Sequence, residues 1–191
     1  MDTRRRPDPV GTLFTVGHST RPIEEFLSLL DAHAVARVVD VRRFPGSRRH
    51  PQFGKEALAA ALADAGVAYV HEEELGGRRE SAAADSPNRA WRNASFRAYA
   101  DHMAAPTFRA ALERVLTAAA ERPTAVMCAE AVPWRCHRQL IADAAVARGW
   151  RVLHILSEDR ADLHALHADA RVGPEGTVVY PGDEGEQARL L

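Results

Sequence analysis

The residues best suited to chemistry lie between Met127 and Arg138, in the segment MCAEAVPWRCHR. It contains both cysteines of the chain, together with a glutamate, a histidine and two arginines. An apolar run ends here, and a helical pattern begins at Pro133. Because a strand that leads into a helix N-terminus is where open α/β sheets bind ligands, the segment is predicted to form one wall of a ligand site.

Cys136 is the most reactive candidate of this segment. The pattern places it in the first turn of a helix predicted over 134–148. There the helix dipole, His137 and Arg138 would stabilise a thiolate, so Cys136 is a candidate nucleophile or redox thiol.

Two further residues of the segment are candidates for the same site. Cys128, at the end of the preceding strand, is either an inert buried thiol or a resolving partner for Cys136. Glu130 is the best candidate carboxylate for acid–base catalysis, close to His137 and within reach of His18.

The spacing of the cysteines excludes two common motifs. A cysteine-phosphatase loop places an arginine at a fixed distance after its cysteine, and Trp134 stands at that distance from Cys128, with Arg135 one residue later. A thioredoxin motif has two residues between its cysteines, whereas seven residues separate Cys128 from Cys136.

A zinc site could use Cys128, Cys136 and His137, with His18 as a fourth ligand. Adjacent side chains of a helix point about 100° apart, so Cys136 and His137 within one helix would rarely bind the same ion. The sequence therefore predicts no metal site.

Reactive residue types also follow three other predicted strands. His18 and Ser19 follow the first strand; Asp40, Arg42, Ser47 and Arg48 follow the second; Gly76 and Gly77 follow the third. The carboxyl ends of parallel strands share one edge of a sheet, so these residues are predicted to converge. Arg42, Arg48 and Arg138 would then hold an anion, while His18, Glu130 and His137 would transfer protons.

Each of these residues also has a structural interpretation. His18 could serve only to bond a loop carbonyl, and Asp40 could serve only to pair with a nearby arginine. Gly76 and Gly77 could simply permit a tight turn. Ser47 with Arg48 is a weak anion signal, because such pairs are common on surfaces.

Strands and helices alternate along the chain. Strands are predicted over 12–16, 36–41, 67–71, 124–127 and 151–156, with an edge strand over 177–180; helices are predicted over 22–30, 55–65, 107–121 and 134–148, with short helices capped by Ser95 and over 161–168. Apolar strands that alternate with amphipathic helices indicate parallel pairing. The predicted fold is a three-layer, Rossmann-like α/β domain with helices on both faces of a mostly parallel sheet.

Composition bounds the class of protein. The chain has 191 residues, a net charge of −1 and 46% hydrophobic residues, which is ordinary for one globular domain. We predict a disordered leader over 1–11, a domain over 12–181 and a loose tail over 182–191. No apolar run is long enough for a membrane span and the cysteines suggest free thiols, so a cytoplasmic location is expected.

The motif residues resemble those of the domain of unknown function (DUF) family 488. The resemblance rests on Thr15–Ser19, Asp40–Arg42 with Pro45, Ser47 and Arg48, Leu75–Gly77, Phe96 with Tyr99 and Met103, and Met127–Glu130 through Pro133 to Arg138, Ile141 and Ala142. It spans roughly residues 12–156 and implies a compact α/β domain whose motif residues cluster. It implies no established activity.

Three functions are compatible with these residues. The leading hypothesis is an enzyme that acts on a phosphorylated or nucleotide-like substrate, with a lid over 78–94. The alternatives are a non-catalytic module that binds a nucleotide or nucleic acid, and a redox-responsive regulator that forms a Cys128–Cys136 disulfide. With neither a Walker A sequence nor a dinucleotide glycine fingerprint, the cofactor stays unknown, as does the oligomeric state.

Overall fold

The computed structural model describes residues 9–46, 49–79 and 81–182. The strands are β1 (Thr12–Gly17), β2 (Arg37–Asp40), β3 (Ala68–His71), β4 (Thr124–Cys128), β5 (Arg151–Ser157), β6 (Arg160–Leu163), β7 (Arg171–Val172) and β8 (Val178–Val179). The helices are α1 (Ile23–Ala32), α2 (Lys55–Asp64), α3 (Ala94–His102), α4 (Pro106–Glu121) and α5 (Arg138–Val146).

Six strands form the central sheet in the order β3-β2-β4-β1-β5-β6. All neighbours pair in parallel except β5 and β6, which are antiparallel. Strands β7 and β8 form a separate two-stranded sheet. The mostly parallel, Rossmann-like sheet predicted from the alternation of elements is confirmed.

Alternating side chains of the strands bury both faces of the sheet. Val38 and Met127 pack in a core with α1 and α2, whereas Val39, Val126 and Cys128 pack in a second core with α3, α4 and α5. Successive strand residues point to opposite faces, so β1, β2, β4 and β5 each contribute to both cores. This confirms the three layers and places Cys128 on the side of α5.

Two predicted elements near the C-terminus are wrong. The first part of the helix predicted over 161–168 is instead strand β6, because β5 offers it a hydrogen-bonded antiparallel partner after a tight turn at Glu158 and Asp159. Residues 164–168 form neither helix nor strand. The edge strand predicted over 177–180 is the shorter β8, which pairs with β7 rather than with the central sheet.

Helix boundaries differ at two positions. Asn93 caps α3 by accepting from the backbone of Ser95 and Phe96, so the cap predicted at Ser95 lies two residues too late. The helix predicted from Trp134 begins only at Arg138, after a 3-10 turn at Pro133–Arg135.

The predicted leader and tail lie largely outside the described residues. Val10 and Gly11 are described, and they bond to Gly149 and Arg151 through their backbones. Between Arg78 and Asn93 the described residues contain neither helix nor strand, as predicted for this connection. None of the described helices has the length and apolar character that a membrane crossing requires.

Candidate functional site

Backbone pairing brings the loops after three strands together. In the sheet register Gly17 lies beside Cys128, and Asp40 lies beside Met127. The pairing continues past the strand ends, since the His18 amide donates to the Cys128 carbonyl at 3.0 Å. The predicted convergence of His18, Asp40 and Cys128 at one sheet edge therefore follows from the register.

A cleft of about 990 Å³ opens at this edge. The predicted residues that line it are His18, Ser19, Arg42, Gly77, Cys128, Glu130, Cys136 and His137. Among the described lining residues the charged ones are five arginines and a single acid, Glu130; the arginines are Arg42, Arg43, Arg49, Arg78 and Arg135. The excess of positive charge in a concave site favours an anionic ligand.

Three of these arginines have no ion-pair partner within the described part of the chain. Arg42 is paired with Asp40, and Arg43 lies 3.7 Å from Glu73. Arg49, Arg78 and Arg135 form no salt bridge with any residue that the structure describes.

Two sulfurs and an imidazole meet at one point of the cleft wall. The Sγ atoms of Cys128 and Cys136 and a ring nitrogen of His137 all lie within 4.8 Å of one another. Cys136 Sγ lies 3.6 Å from His137 Nδ1, and His137 Nε2 donates to the Val41 carbonyl at 3.2 Å. Both cysteines are free thiols.

The prediction that Cys136 lies in the first turn of a helix is wrong. Its backbone is extended (φ −135°, ψ 145°), and His137 is the cap residue before α5. Side chains of adjacent residues therefore need not diverge by the helical angle, and those of Cys136 and His137 converge. The argument from helical spacing against a shared metal site therefore does not apply here. Residues 133–136 also do not begin an α-helix, so the predicted anion site has no helix N-terminus at that position.

The electrostatics of the thiols nevertheless favour a Cys136 thiolate. A hydrogen bond from the Cys128 thiol lowers the pKa of Cys136 well below its ordinary value, helped by His137 and Arg138 and opposed by burial. The same hydrogen bond, together with burial, raises the pKa of Cys128. The cause is thus a set of side chains rather than the helix dipole.

Arg138 is buried behind the cleft rather than exposed in it. The residue is only 1% exposed, and Nη2 donates to the Glu130 carbonyl while Nε donates to Cys136 Sγ at 3.4 Å. It is absent from the cleft lining. Arg138 therefore positions the 130–136 loop and the Cys136 sulfur. The sequence predicted that Arg138 holds an anion, but from this buried position it does not face the cleft.

His18, Arg42 and Asp40 form a buried chain of contacts. Arg42 makes a two-pronged ion pair with Asp40 and also contacts His18 Nε2 at 3.3 Å. His18 Nδ1 donates to the Ser19 carbonyl at 2.9 Å, and the ring stacks on Phe53. Burial and the Arg42 charge lower the pKa of His18 to about 4.

This chain gives His18 and Asp40 structural roles. With both ring nitrogens engaged, a neutral His18 accepts from Arg42 and orients it. Asp40 is fully buried and also accepts from the Tyr69 hydroxyl, so it serves to hold Arg42. The arginine–aspartate pairing considered for Asp40 is the one observed.

The two predicted glycines act at different places. A Cβ on Gly77 would lie 2.3 Å from His137 Nδ1, so only glycine leaves room for this imidazole. Gly76 packs against Glu73 and Arg43 in a turn and does not line the cleft. A third glycine was not predicted: a Cβ on Gly17 would collide with the Glu130 carbonyl.

The remaining predicted residues lie at the rim or outside the described residues. The Glu130 side chain is exposed and lines the cleft, as does Ser19, whose φ is +52°. Ser47 and Arg48 lie outside the described residues.

Sequence reasoning missed four of the cleft arginines, Arg43, Arg49, Arg78 and Arg135. All four stand directly beside predicted residues or inside the opening motif, so their position next to those residues was the available signal. Arg78, for example, directly follows Gly77.

Comparison with known proteins identifies the family. No match is found among curated proteins or among solved structures. One family model, the domain of unknown function DUF488, matches residues 22–145, which is more than half of the chain. The matched range contains the Cys128–Arg138 segment and begins after Gly17 and His18. The chain therefore belongs to the DUF488 family.

Proposed function

We propose that this protein is an enzyme that acts on a phosphorylated or nucleotide-like substrate bound in the arginine-lined cleft. The observation that carries the proposal is the position of the Cys128–Cys136–His137 cluster in the wall of a cleft with five arginines. Anion-binding groups and reactive groups thus face one space. That combination is expected for a reaction on an anionic substrate.

The substrate's anionic group would contact those cleft arginines that form no salt bridge with a described residue. Arg78 and Arg135 are such residues, whereas Arg42 is held by Asp40 and oriented by His18. Guanidinium groups bind phosphate oxygens through paired, charge-assisted hydrogen bonds. Ser19 adds a hydroxyl to the same lining.

Aromatic residues of the cleft support a substrate with a base. Phe44 is 65% exposed, and Phe96 also lines the cleft. An exposed ring next to arginines is suited to stacking with a nucleobase while the phosphate is held by charge.

The reaction centre is assigned to Cys136 with Cys128 and His137 beside it. Glu130 is the carboxylate in the lining and would transfer protons at the exposed side of the centre. Arg138 positions the centre from behind through the Glu130 carbonyl and the Cys136 sulfur.

The test of the proposal is a binding panel followed by a turnover screen. A nucleoside diphosphate, inorganic pyrophosphate and the uncharged nucleoside are titrated calorimetrically into wild type and into Arg78→Ala and Arg135→Ala. We expect the charged ligands to bind and each variant to weaken them by roughly 10- to 100-fold, the value of one charge-assisted contact. Arg160→Ala, an exposed arginine of β6 absent from the lining, is the matched control and should bind normally.

Two results would overturn the proposal. One is binding of the uncharged nucleoside as tight as that of the diphosphate, with no effect of either cleft variant. The other is turnover that is unchanged in Cys136→Ser for every phosphorylated compound converted, which would show that the Cys128–Cys136–His137 cluster is not the reaction centre.

A redox function is the second candidate, because the sulfurs of Cys128 and Cys136 lie within 4.8 Å of each other. Hydrogen peroxide would oxidise the Cys136 thiolate to a sulfenic acid, and the Cys128 thiol would then displace water to form a disulfide. Thiol titration should show both thiols lost after mild peroxide treatment and both restored by dithiothreitol. Retention of both free thiols after peroxide treatment would argue against it.

A further inference from the structure

The Cys128–Cys136–His137 cluster has the separations of a metal site. Its ligand atoms lie within 4.8 Å of one another, and Cys136 Sγ is 3.6 Å from His137 Nδ1. Bond lengths of about 2.3 Å to sulfur and 2.05 Å to nitrogen, set at a tetrahedral angle, separate the two ligands by about 3.6 Å. The observed Sγ–Nδ1 distance therefore matches that of two ligands on one tetrahedral cation.

The orientation of His137 is set by its second nitrogen. Nε2 donates to the Val41 carbonyl at 3.2 Å, which leaves the lone pair on Nδ1, the nitrogen that faces Cys136. Histidines that bind metals commonly donate their other N–H to a backbone carbonyl in this way. Gly77 leaves space for the ring in this position.

The sulfur of Cys136 has a second support in Arg138. Arg138 is buried, donates to Cys136 Sγ at 3.4 Å and forms no salt bridge with any described residue. A buried guanidinium is stable only beside negative charge or good acceptors. A metal-bound Cys136 thiolate would remain the acceptor of the Nε–H bond, so this bond supports the sulfur in its coordinating position.

The geometry points to a site for a thiophilic divalent cation, Zn²⁺ being the best match, held by Cys128 Sγ, Cys136 Sγ and His137 Nδ1. Two thiolates and an imidazole favour zinc over magnesium, calcium or manganese, which prefer oxygen ligands. Both sulfurs would bind as thiolates, so the Zn²⁺ complex of the two thiolates carries no net charge.

The site leaves a coordination position toward the cleft. All three ligand residues line the cleft, and the cluster holds no fourth ligand among the residues that the structure describes. Three protein ligands with an open position are typical of catalytic zinc, whereas structural zinc has four. Insofar as the anionic substrate supplies the fourth ligand, this inference rests on the proposed function.

The test is metal binding to the reduced protein in the absence of substrate. Cobalt substitution should give a thiolate-to-cobalt charge-transfer band and tetrahedral visible bands, and zinc measured after dialysis should reach one ion per chain. Cys128→Ser and Cys136→Ser should each remove the charge-transfer band or reduce it to that of a single thiolate. His137→Gln should weaken zinc binding by at least about tenfold.

Arg135→Ala is the matched control, since it lines the cleft without belonging to the cluster. It should bind zinc and cobalt normally while losing affinity for pyrophosphate. If wild type binds less than stoichiometric zinc, or if Cys128→Ser keeps the full band, the metal site is wrong. Loss of pyrophosphate affinity in Arg135→Ala would still support the proposed function in that case.

Discussion

At the scale of single residues, His137 is held by a glycine and a carbonyl. Its ring fits against Gly77, donates to Val41 through Nε2 and faces Cys136 through Nδ1. Any side chain at residue 77 would occupy the position of Nδ1. The glycine is thus a requirement of the cluster rather than of a turn.

Gly77→Ala should therefore displace the imidazole while leaving the fold intact. We expect the affinity for Zn²⁺ to fall by about 10- to 100-fold, the usual effect of disturbing a residue that orients a ligand. Competition with a chromogenic chelator measures it. Gly46→Ala is the control, because a Cβ at this other cleft glycine meets nothing within 4 Å. Equal zinc affinities for the two variants would contradict the account.

Arg138 supports the site from a buried position behind the cleft wall. Arg138→Met removes the donor to the Glu130 carbonyl and should lower the free energy of unfolding by about 1–3 kcal/mol, the usual effect of a buried polar group left unpaired. Urea denaturation measures it. Arg160→Met, at an exposed ion pair, should change stability by less than about 0.5 kcal/mol. Equal losses in the two variants would show that Arg138 does not support the loop.

Residue types and strand ends predicted most of the site. Cys128, Cys136, His137, His18 and Arg42 all line the cleft, as expected from the edge where parallel strands end. Burial could not be predicted in the same way, because it depends on which elements cover a residue. Arg138 therefore appeared to be a ligand contact, although its guanidinium bonds backbone and sulfur.

At the scale of elements, the register of β1, β2 and β4 determines which loops meet. The alternation of apolar runs predicted these strands, but their order depends on long-range pairing. The errors fall where tertiary contacts outweigh local pattern. β6 is a strand because β5 pairs with it, and α5 begins late because Cys136 is extended beside its sulfur and imidazole partners.

The connection after β3 is anchored through one carboxylate. Asp101 of α3 accepts from the Ala83 amide, the Ser86 hydroxyl and the Asn88 side chain. Asn88 also accepts from the amide of Tyr180. The part of the connection from Ala83 to Asn88 is therefore tied to α3.

Asp101→Ala should release the anchored part of the connection. Three donors lose their acceptor, so local opening should become easier by about 1–3 kcal/mol. Hydrogen exchange measured by mass spectrometry should speed up across 81–93. Asp159→Ala, which removes an exposed acceptor for Ser157, is the control and should leave this region unchanged. Unchanged exchange across 81–93 in Asp101→Ala would contradict the anchor.

At the scale of the whole molecule, a second buried polar chain links the sheet to α5. It runs from Thr15 through His154 and His164 to Asp143, which also accepts from the Tyr180 hydroxyl at 2.7 Å. Burial, with further contributions from His164 and Arg138, lowers the pKa of His154 to about 4.

Stability should fall between pH 6.5 and about 4 because of His154 and His18. Over this range the unfolded chain takes up protons that the folded histidines do not, so acid favours unfolding. From pH 7 to pH 5 each histidine should remove on the order of 2 kcal/mol. Urea denaturation at both pH values measures the loss, and His154→Gln should reduce it by about half. A loss as large in His154→Gln as in wild type would contradict the assignment.

The central claim is that the arginine-lined cleft holds an anionic substrate against the Cys128–Cys136–His137 cluster. The most direct measurement is a crystal structure of the protein grown with a nucleoside diphosphate. We predict density for the phosphates at the guanidinium groups of Arg78 and Arg135, with one phosphate oxygen directed at the cluster. Phosphate density bound elsewhere, with the cleft occupied by solvent alone, would contradict the account.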